Sequence, residues 1–241
     1  MTDYVIVTGA SKGLGLEICK QALTAGYAVV AIARTLSAEL QALSESTPEH
    51  CHFIQADLSD LEKIPALCRQ IIKQFGRPYG LINNAAVGHD GVLATMPNNE
   101  IDNVMRLNVQ SPMLLSKYLL RSMLLNRTGR IINISSIIAK TGFNGLSVYA
   151  ASKAALEGFT KSLAREVGKA GITVNCVALG YMQTDMTDSL QGDKLATIKR
   201  RSPLGKLATV EDAAAMVIFL LSDKSSSITG TVMTVDAGST A

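Results

Sequence analysis

The sequence lacks several features that mark large functional classes. It has no apolar run long enough to span a bilayer, and no long or aromatic-rich basic stretch accompanies its net charge of only +3. These absences argue against a membrane protein and against a nucleic-acid-binding or membrane-surface role. The chain begins Met1-Thr2-Asp3 and passes directly into an apolar strand, so we expect no signal peptide.

Cysteine and histidine are also scarce. The four cysteines are Cys19, Cys51, Cys68 and Cys176. They have no paired spacing, so we expect free thiols in a reducing cytoplasm. His50-Cys51-His52 has the residue types of a metal site but no further ligand at useful spacing, so we expect no bound metal. His89 has no Ser or Cys partner in a nucleophile motif, so a hydrolase triad has no support.

What the sequence does contain is an alternation of short β-branched runs and longer helical patterns. The 241 residues suffice for one buried α/β domain and are few for two. Strands are predicted at 4–7, 29–32, 52–54, 80–82, 130–134, 172–176 and 231–235, and helices at 13–25, 59–75, 98–125 and 149–169. Since the strands are apolar on both faces, the pattern predicts a single-domain, Rossmann-type, doubly wound parallel sheet with helices on both faces over 1–241.

A glycine-rich segment joins the first strand to the first helix. Glycines there let the backbone approach a pyrophosphate, and the helix N-terminus faces its charge. This position in the first βα unit favours a dinucleotide site over an ordinary glycine turn. The predicted contacts are Gly9, Ser11, Lys12, Gly13, Leu14 and Gly15.

The residue after the second strand indicates which dinucleotide is bound. An acidic side chain there would bind a ribose 2′-hydroxyl and repel a 2′-phosphate. The sequence has Ala33 followed by Arg34, and Lys12 lies in the glycine loop. Two cations and no carboxylate favour NADP(H) over NAD(H). The alternative is that Arg34 is only solvated surface.

Motifs along essentially the whole chain resemble those of the short-chain dehydrogenase/reductase family. They are the Gly9-x-x-x-Gly13-x-Gly15 spacing, Asp57, Asn83-Asn84-Ala85-Ala86, Asn108, Ser136, Tyr149-x-x-x-Lys153 and Gly180-x-x-x-Thr184. The resemblance implies further cofactor contacts by Asp57, Leu58, Asn84, Ala85, Ala86, Tyr149, Lys153, Gly180, Met182 and Thr184. Residues 185–207 follow the nicotinamide-binding turn and break the βα rhythm, so we expect them to form a substrate lid. The sequence departs from the family in Ala86, which replaces a Gly, and in Leu179, which replaces a Pro.

Tyr149 and Lys153 are four residues apart at the start of a helix, so their side chains lie on one face. A phenol has a pKa of about 10, and a nearby ammonium is expected to lower it, which suits an acid/base. Ser136 ends the fifth strand, where its hydroxyl can bind a substrate oxygen. Ser135 is the rival, but the family spacing to the tyrosine selects Ser136. In a third reading both serines only close the turn.

Asn108 lies on the apolar stripe of the predicted helix 98–125, where an Asn must find partners. Pro112, four residues later, frees the carbonyl of residue 108 from its helical hydrogen bond. By the resemblance, that carbonyl holds a water and completes a proton relay through Lys153. The alternative is a kinked core helix with a satisfied Asn.

Within the family, the chain is most similar to 3-oxoacyl-[acyl-carrier-protein] reductases, in the stretches 129–136, 149–154 and 162–167. This implies reduction of a 3-oxoacyl thioester by NADPH, with Tyr149 as proton donor and a homotetrameric assembly. It also implies docking of an acidic carrier protein near Arg127 and Lys169, although Ala170 occupies the second expected basic position. The alternatives are a small-molecule ketone reductase or alcohol dehydrogenase, and a non-catalytic NADP-binding sensor or interaction protein.

Overall fold

The computed structural model describes residues 3–182, 199–200 and 202–241. In this part of the chain, seven strands form one parallel sheet. They are β1 (Tyr4–Thr8), β2 (Ala28–Ala33), β3 (Cys51–Gln55), β4 (Gly80–Asn83), β5 (Gly129–Ser136), β6 (Ile172–Leu179) and β7 (Val232–Val235). The strand order is β3-β2-β1-β4-β5-β6-β7, with every neighbouring pair parallel.

Helices cover both faces of the sheet. In chain order they are α1 (Gly13–Thr24), α2 (Ala38–Ser46), α3 (Ile64–Phe75), α4 (Asn98–Met105), α5 (Ser111–Asn126), α6 (Ile138–Thr141), α7 (Ser147–Val167) and α8 (Val210–Leu221). Alternate residues of β1 show how the faces are divided. Val5 and Val7 pack with α1 and α8, whereas Tyr4 and Ile6 pack with α3, α5 and α7. The predicted Rossmann-type fold is confirmed.

Several predicted boundaries are corrected. The predicted helix 98–125 is interrupted by one π-helical turn, Arg106–Gln110, which separates α4 from α5. The predicted helix 59–75 begins as a 3-10 turn at Leu61–Lys63 and becomes α-helical only at Ile64. Helices α2, α6 and α8 were not among the predicted elements. Within the residues described, no helix has the length and apolarity to cross a bilayer.

The strand order positions the site. From β1 the sheet grows through β2 and β3 in one direction and through β4 to β7 in the other. The connections therefore diverge where β1 and β4 lie side by side, which opens a crevice at the carboxyl ends of these strands. Thr8 ends β1 and Asn83 ends β4, so the segments that follow them form the walls of this crevice.

Candidate active site

One hydroxyl ties together the two strands at the crevice. Thr8 Oγ1 accepts hydrogen bonds from the backbone N–H groups of Asn84 (2.9 Å) and Ala85 (3.0 Å) and donates to the carbonyl of Ile82 (3.2 Å). Asn84 Nδ2 donates in turn to the carbonyls of Thr8 (2.8 Å) and Gly9 (3.3 Å). Asn84 is among the predicted cofactor contacts, whereas Thr8 is not. Its signal is a small hydroxyl residue between a buried strand and the glycine loop.

The glycine loop is shaped by close backbone packing. Gly9 has φ +67°, and a Cβ on it would lie 2.9 Å from Cα of Ala85. A Cβ on Gly15 would overlap the carbonyl of Gly9. Gly13, with φ +54°, is different: its Cβ position has no atom within 4 Å in the described part of the chain. The loop is therefore packed against the protein at two glycines and open at the third, beside the N-terminus of α1.

This open side suits the phosphates of a dinucleotide. Among the residues described, the first turn of α1 has no acidic side chain that would oppose an anion there. Lys12 is exposed at the start of the helix, and Arg34 is exposed immediately after β2. The side chains of Leu14 and Leu58, both predicted contacts, are buried in the core, so only their backbone faces the crevice. The residues present thus fit a dinucleotide with an additional phosphate.

Asp57 already has a structural role. Its Oδ1 accepts hydrogen bonds from the hydroxyl (2.7 Å) and the backbone N–H (2.9 Å) of Ser59. These bonds, together with the charges of Arg34 and Lys63, hold the pKa of Asp57 below its usual range. Asp57 remains exposed, so its second oxygen is accessible on the same side as Arg34. The turn-capping reading and an adenine contact are therefore compatible.

The two neighbouring serines at the end of β5 have different partners. Ser136 Oγ lies 3.4 Å from the carbonyl of Leu179 and accepts from the backbone N–H of Ile138 at 3.3 Å. Ser135 Oγ lies 3.2 Å from the carbonyl of Lys153 and 3.2 Å from Oε1 of the buried Glu157. Ser136 therefore faces the crevice, whereas Ser135 fastens β5 to α7. The role of Glu157 in this brace is not visible in the sequence pattern.

Tyr149 and Lys153 lie on the first turns of α7 next to Ser136. Lys153 is 2% exposed, its Nζ donates to the carbonyl of Ile134 at 2.9 Å, and it lies 5.5 Å from the centroid of the Tyr149 ring. Burial lowers the pKa of Lys153 to about 8. Burial also raises the pKa of Tyr149 to about 12, while a hydrogen bond with Ser136 opposes that rise. This differs from the lowered phenol pKa that we expected, because burial outweighs the hydrogen bond with Ser136.

Asn108 is fully buried in the π-helical turn. Its Oδ1 accepts from the backbone N–H of Val87 (2.9 Å), and its Nδ2 donates to the carbonyl of Val87 (2.8 Å) and to Ser152 Oγ (3.1 Å). The Ser152 hydroxyl donates to the carbonyl of Tyr149 at 2.7 Å. The side chain of Asn108 thus joins the segment after β4 to the first turn of α7.

The turn after β6 forms the remaining wall of the crevice. The N–H of Gly180 donates to the carbonyl of Val235 at 2.9 Å, and a Cβ on Gly180 would lie 2.5 Å from Cβ of Asp236. The side chain of Met182, a predicted cofactor contact, is buried in the hydrophobic core. Thr184, Met186 and most of the predicted lid 185–207 lie outside the described residues.

The two predicted docking residues are neighbours, but they lie at the amino-terminal ends of the strands, whereas the crevice lies at the carboxyl ends. Arg127 Nη2 is 3.4 Å from the carbonyl of Lys169. Arg127 precedes β5, whereas Ser136 ends it. A strand of eight residues is roughly 23 Å long from its first to its last residue. Within one chain, these cations are therefore separated from Ser136 by the length of β5.

The histidines take part in ordinary packing and pairing. His89 Nδ1 lies 3.3 Å from Oε2 of Glu100, and the ring of His52 packs against Phe75 at 4.9 Å. Cys51 is buried and free. In the part of the chain that the structure describes, no group of three or more His, Cys, Asp or Glu side chains is placed to hold a metal ion.

Several known proteins are similar to this chain in sequence and in fold. The family model described as enoyl-(acyl carrier protein) reductase matches residues 9–240. The 3-oxoacyl-[acyl-carrier-protein] reductase FabG of Haemophilus influenzae is 40% identical over 233 residues, covering 97% of this chain and 96% of that protein. The FabG of Escherichia coli K12 is 38% identical, covering 97% and 95%. The crystal structure of a blue fluorescent protein from a metagenomic library, in complex with NADPH, superposes with a TM-score of 0.90 at 32% identity, covering 99% of this chain and 98% of that one.

Proposed function

The chain belongs to the short-chain dehydrogenase/reductase family, and we propose that it uses NADPH to reduce a 3-oxoacyl thioester to the 3-hydroxyacyl thioester. The observation that carries the proposal is the cluster of Ser136, Tyr149 and buried Lys153 beside the glycine loop. Such a cluster supplies a hydrogen-bond donor, a proton donor and a cation at one carbonyl oxygen. The relatives named for 3-oxoacyl reduction cover nearly the whole chain, which supports the substrate class.

When bound, NADPH supplies the hydride that the carbonyl carbon receives. In this mechanism Ser136 Oγ donates a hydrogen bond to the substrate oxygen and polarises the carbonyl. Tyr149 then transfers its phenolic proton to that oxygen. The raised pKa of Tyr149, about 12, keeps the phenol protonated at neutral pH, which is the form that reduction needs.

Lys153 has two tasks in the proposal. Its ammonium stabilises the phenolate that remains after proton transfer, and it holds the cofactor ribose. Its Nζ already donates one hydrogen to the carbonyl of Ile134, which fixes its direction and leaves two for other acceptors. We assign proton resupply to the main-chain carbonyl of Asn108, since the side chain of that residue is engaged by Val87 and Ser152.

Selection of NADPH over NADH is assigned to Lys12 and Arg34. Both are exposed cations on the crevice side of β1 and β2, where a 2′-phosphate lies in a dinucleotide bound at the glycine loop. The NADPH-bound structure that superposes on this chain supports the same cofactor. The remaining contacts that we propose are those of Asp57, Asn84, Ala85, Ala86 and Gly180.

The partners are also part of the proposal. Arg127 and Lys169 form a small basic surface that suits an acidic acyl-carrier protein. Leu124 and Leu125 are exposed near the end of α5, which is compatible with a homotetramer built through α5 and α7. All four cysteines are free and buried, and this supports a reducing compartment such as the cytoplasm.

Substrate profiling tests the function. NADPH and NADH oxidation are measured with acetoacetyl-CoA, the acetoacetyl carrier protein and simple ketones, for the wild type and Tyr149→Phe. We expect thioester turnover with NADPH that is lost in the variant. If Arg127→Glu loses a preference for the acetoacetyl carrier protein over acetoacetyl-CoA, that loss supports docking of the carrier at the surface formed by Arg127 and Lys169.

Two other results favour the alternatives. Turnover of ketones or alcohols without thioesters favours the small-molecule reductase. NADPH binding without any turnover favours the non-catalytic sensor.

A further inference from the structure

Three exposed apolar side chains lie in the two loops nearest to Tyr149. In the described part of the chain, eight large apolar side chains are exposed. Val92 (61% exposed) and Leu93 (55%) belong to the loop after β4, and Phe143 (62%) belongs to the loop before α7. A single exposed apolar residue needs no explanation. The clustering of these three beside a predicted substrate crevice does, and we call them the apolar rim.

The loops that carry the apolar rim are joined to each other and to the catalytic tyrosine. The N–H of Gly91 donates to the carbonyl of Gly145 at 2.9 Å, which connects the two loops. A Cβ on Gly88 would lie 3.8 Å from Cδ2 of Tyr149, so the chain passes against the face of this ring. Val92 follows Gly88 by four residues and is therefore at most roughly 14 Å from it.

A separate small core supports this wall. Met96, Val104 and Val148 are buried together, and Val87 and Ile101 pack against them. These residues come from the segment after β4, from α4 and from the first turn of α7. The apolar rim is thus held by the same elements that hold Tyr149, rather than by a free loop.

A bound substrate extends along this wall in one of two ways. The reacting carbonyl lies at Tyr149, so either the acyl tail or the thioester arm passes Gly88 toward Val92 and Phe143. A polar thioester arm gains little from three apolar side chains, whereas methylene groups gain by leaving water. The chemistry of the apolar rim therefore matches the tail.

We propose that the apolar rim binds the distal methylene groups of the acyl chain, so that the protein prefers medium- and long-chain 3-oxoacyl thioesters to acetoacetyl thioester. This inference rests on the proposed function. Acetoacetyl ends one carbon beyond its reacting carbonyl and cannot reach Val92. Each methylene that is fully covered contributes roughly fourfold in affinity, so several half-covered ones contribute about tenfold.

The test compares CoA thioesters of different length, which removes any effect of carrier docking. We measure kcat/KM for acetoacetyl-, 3-oxooctanoyl- and 3-oxododecanoyl-CoA with the wild type, Phe143→Ser and Val92→Ser/Leu93→Ser. Phe219→Ser is the matched control for Phe143→Ser, because Phe219 is also exposed but belongs to α8, which packs on the face of the sheet opposite to α7. All substituted side chains are exposed, so the Tm of each variant should stay within a few degrees of the wild-type value.

We expect kcat/KM to rise with length in the wild type. The rim variants should lower it about tenfold more for 3-oxododecanoyl-CoA than for acetoacetyl-CoA, and Phe219→Ser should preserve the wild-type profile. Equal losses at all lengths would assign the apolar rim to the thioester arm and overturn the inference, as would a flat profile in the wild type. Absence of turnover at every length contradicts the proposed function itself, and the inference with it.

Discussion

The two halves of the sheet that meet between β1 and β4 contribute different kinds of groups to the site. In the half formed by β1, β2 and β3, the groups facing the crevice are glycine backbone and the exposed cations Lys12 and Arg34. In the half formed by β4, β5 and β6, they are enclosed side chains, with Ser136 only 9% exposed and Lys153 2%. Burial lowers the pKa of Lys153 to about 8 and raises that of Tyr149 to about 12.

This difference corresponds to two physical tasks. Holding a large anion requires accessible hydrogen-bond donors and a backbone that the anion can approach. Exposed cations remain hydrated before the anion binds, so their placement carries little desolvation cost. Proton transfer requires groups that are shielded from water, with pKa values set by their surroundings. We therefore expect substitutions in the first half to change cofactor affinity and choice, and substitutions in the second half to change kcat.

The largest effect is expected at Tyr149. Tyr149→Phe removes the proton donor but keeps the ring that packs against Gly88. We expect kcat to fall by about a thousandfold, within the range typical of a lost general acid, while the Kd for NADPH changes little. Single-turnover kinetics and fluorescence titration measure the two quantities. A tenfold rise in Kd with kcat preserved would break the division between the halves.

The adjacent serines sharpen the comparison within one strand. Ser136→Ala removes the hydroxyl in the crevice and should lower kcat by about a hundredfold, as for the loss of one donor to a developing oxyanion. Ser135→Ala removes the brace to Lys153 and Glu157. It should cost about 1 kcal/mol in the free energy of unfolding and less than tenfold in kcat. Steady-state kinetics and urea unfolding of both variants provide the measurement.

The opposite ranking of these two serines would contradict the assignment. If Ser135→Ala reduces kcat more than Ser136→Ala does, the position of α7, rather than a hydroxyl in the crevice, limits the reaction. The two variants remove the same atom from neighbouring residues of β5, so each is the control for the other.

A smaller effect is expected in the nucleotide half. Arg34→Ala should lower the preference for NADPH over NADH by about 10- to 100-fold, which is the effect of one charge-assisted hydrogen bond. The value of kcat at saturating NADPH should stay within a few-fold of wild type. Lys224→Ala, which removes an exposed cation after α8, is the control and should change neither quantity. If Arg34→Ala keeps the wild-type preference for NADPH over NADH, Arg34 is only a solvated surface residue and does not select the cofactor.

The smallest effect concerns pH. Lys153 is protonated below its pKa of about 8 and loses its charge above it. Because the protonated form is the active one, kcat/KM for NADPH, which reports on the free enzyme, should fall about fivefold between pH 8 and pH 9. If Lys12→Arg shows the same decrease in kcat/KM above pH 8, Lys12 is excluded as the group responsible for that decrease. A profile that stays level to pH 10 would contradict the role of Lys153.

Much of the fold follows from the sequence, and the exceptions have physical causes. The predicted strand 130–134 stops short of Ser136, because the last two residues of β5 are serines. The predicted strand 172–176 is also too short, since β6 continues through the apolar residues Val177 to Leu179. Helix α8 escapes prediction since apolar residues lie on nearly every side of it, including the exposed Ala215 and Phe219, which leaves no stripe to detect. Its one signal is the Thr209-x-x-Asp212 capping box, which the structure forms. Helix α2 buries only Leu40 and gives no stripe either.

The sequence predicts which residues form the site, but it does not predict how their surroundings shift their pKa values. Motif spacing predicts Asn108, Ser136, Tyr149 and Lys153, and the structure brings these four together. The direction of the pKa shift at Tyr149 is not predictable from the sequence, because it depends on how tightly neighbouring segments such as the one at Gly88 cover the ring.

The central claim is that the enclosed half of the site performs hydride and proton transfer to a 3-oxoacyl thioester. The most direct test incubates the protein with 3-oxooctanoyl-CoA and NADPH that carries deuterium at both C4 positions of the nicotinamide, and locates the label in the product by mass spectrometry. We expect 3-hydroxyoctanoyl-CoA with one deuterium on C3 for the wild type, and no labelled product for Tyr149→Phe despite bound NADPH. Unlabelled product, or labelled product formed at an undiminished rate by Tyr149→Phe, would contradict it.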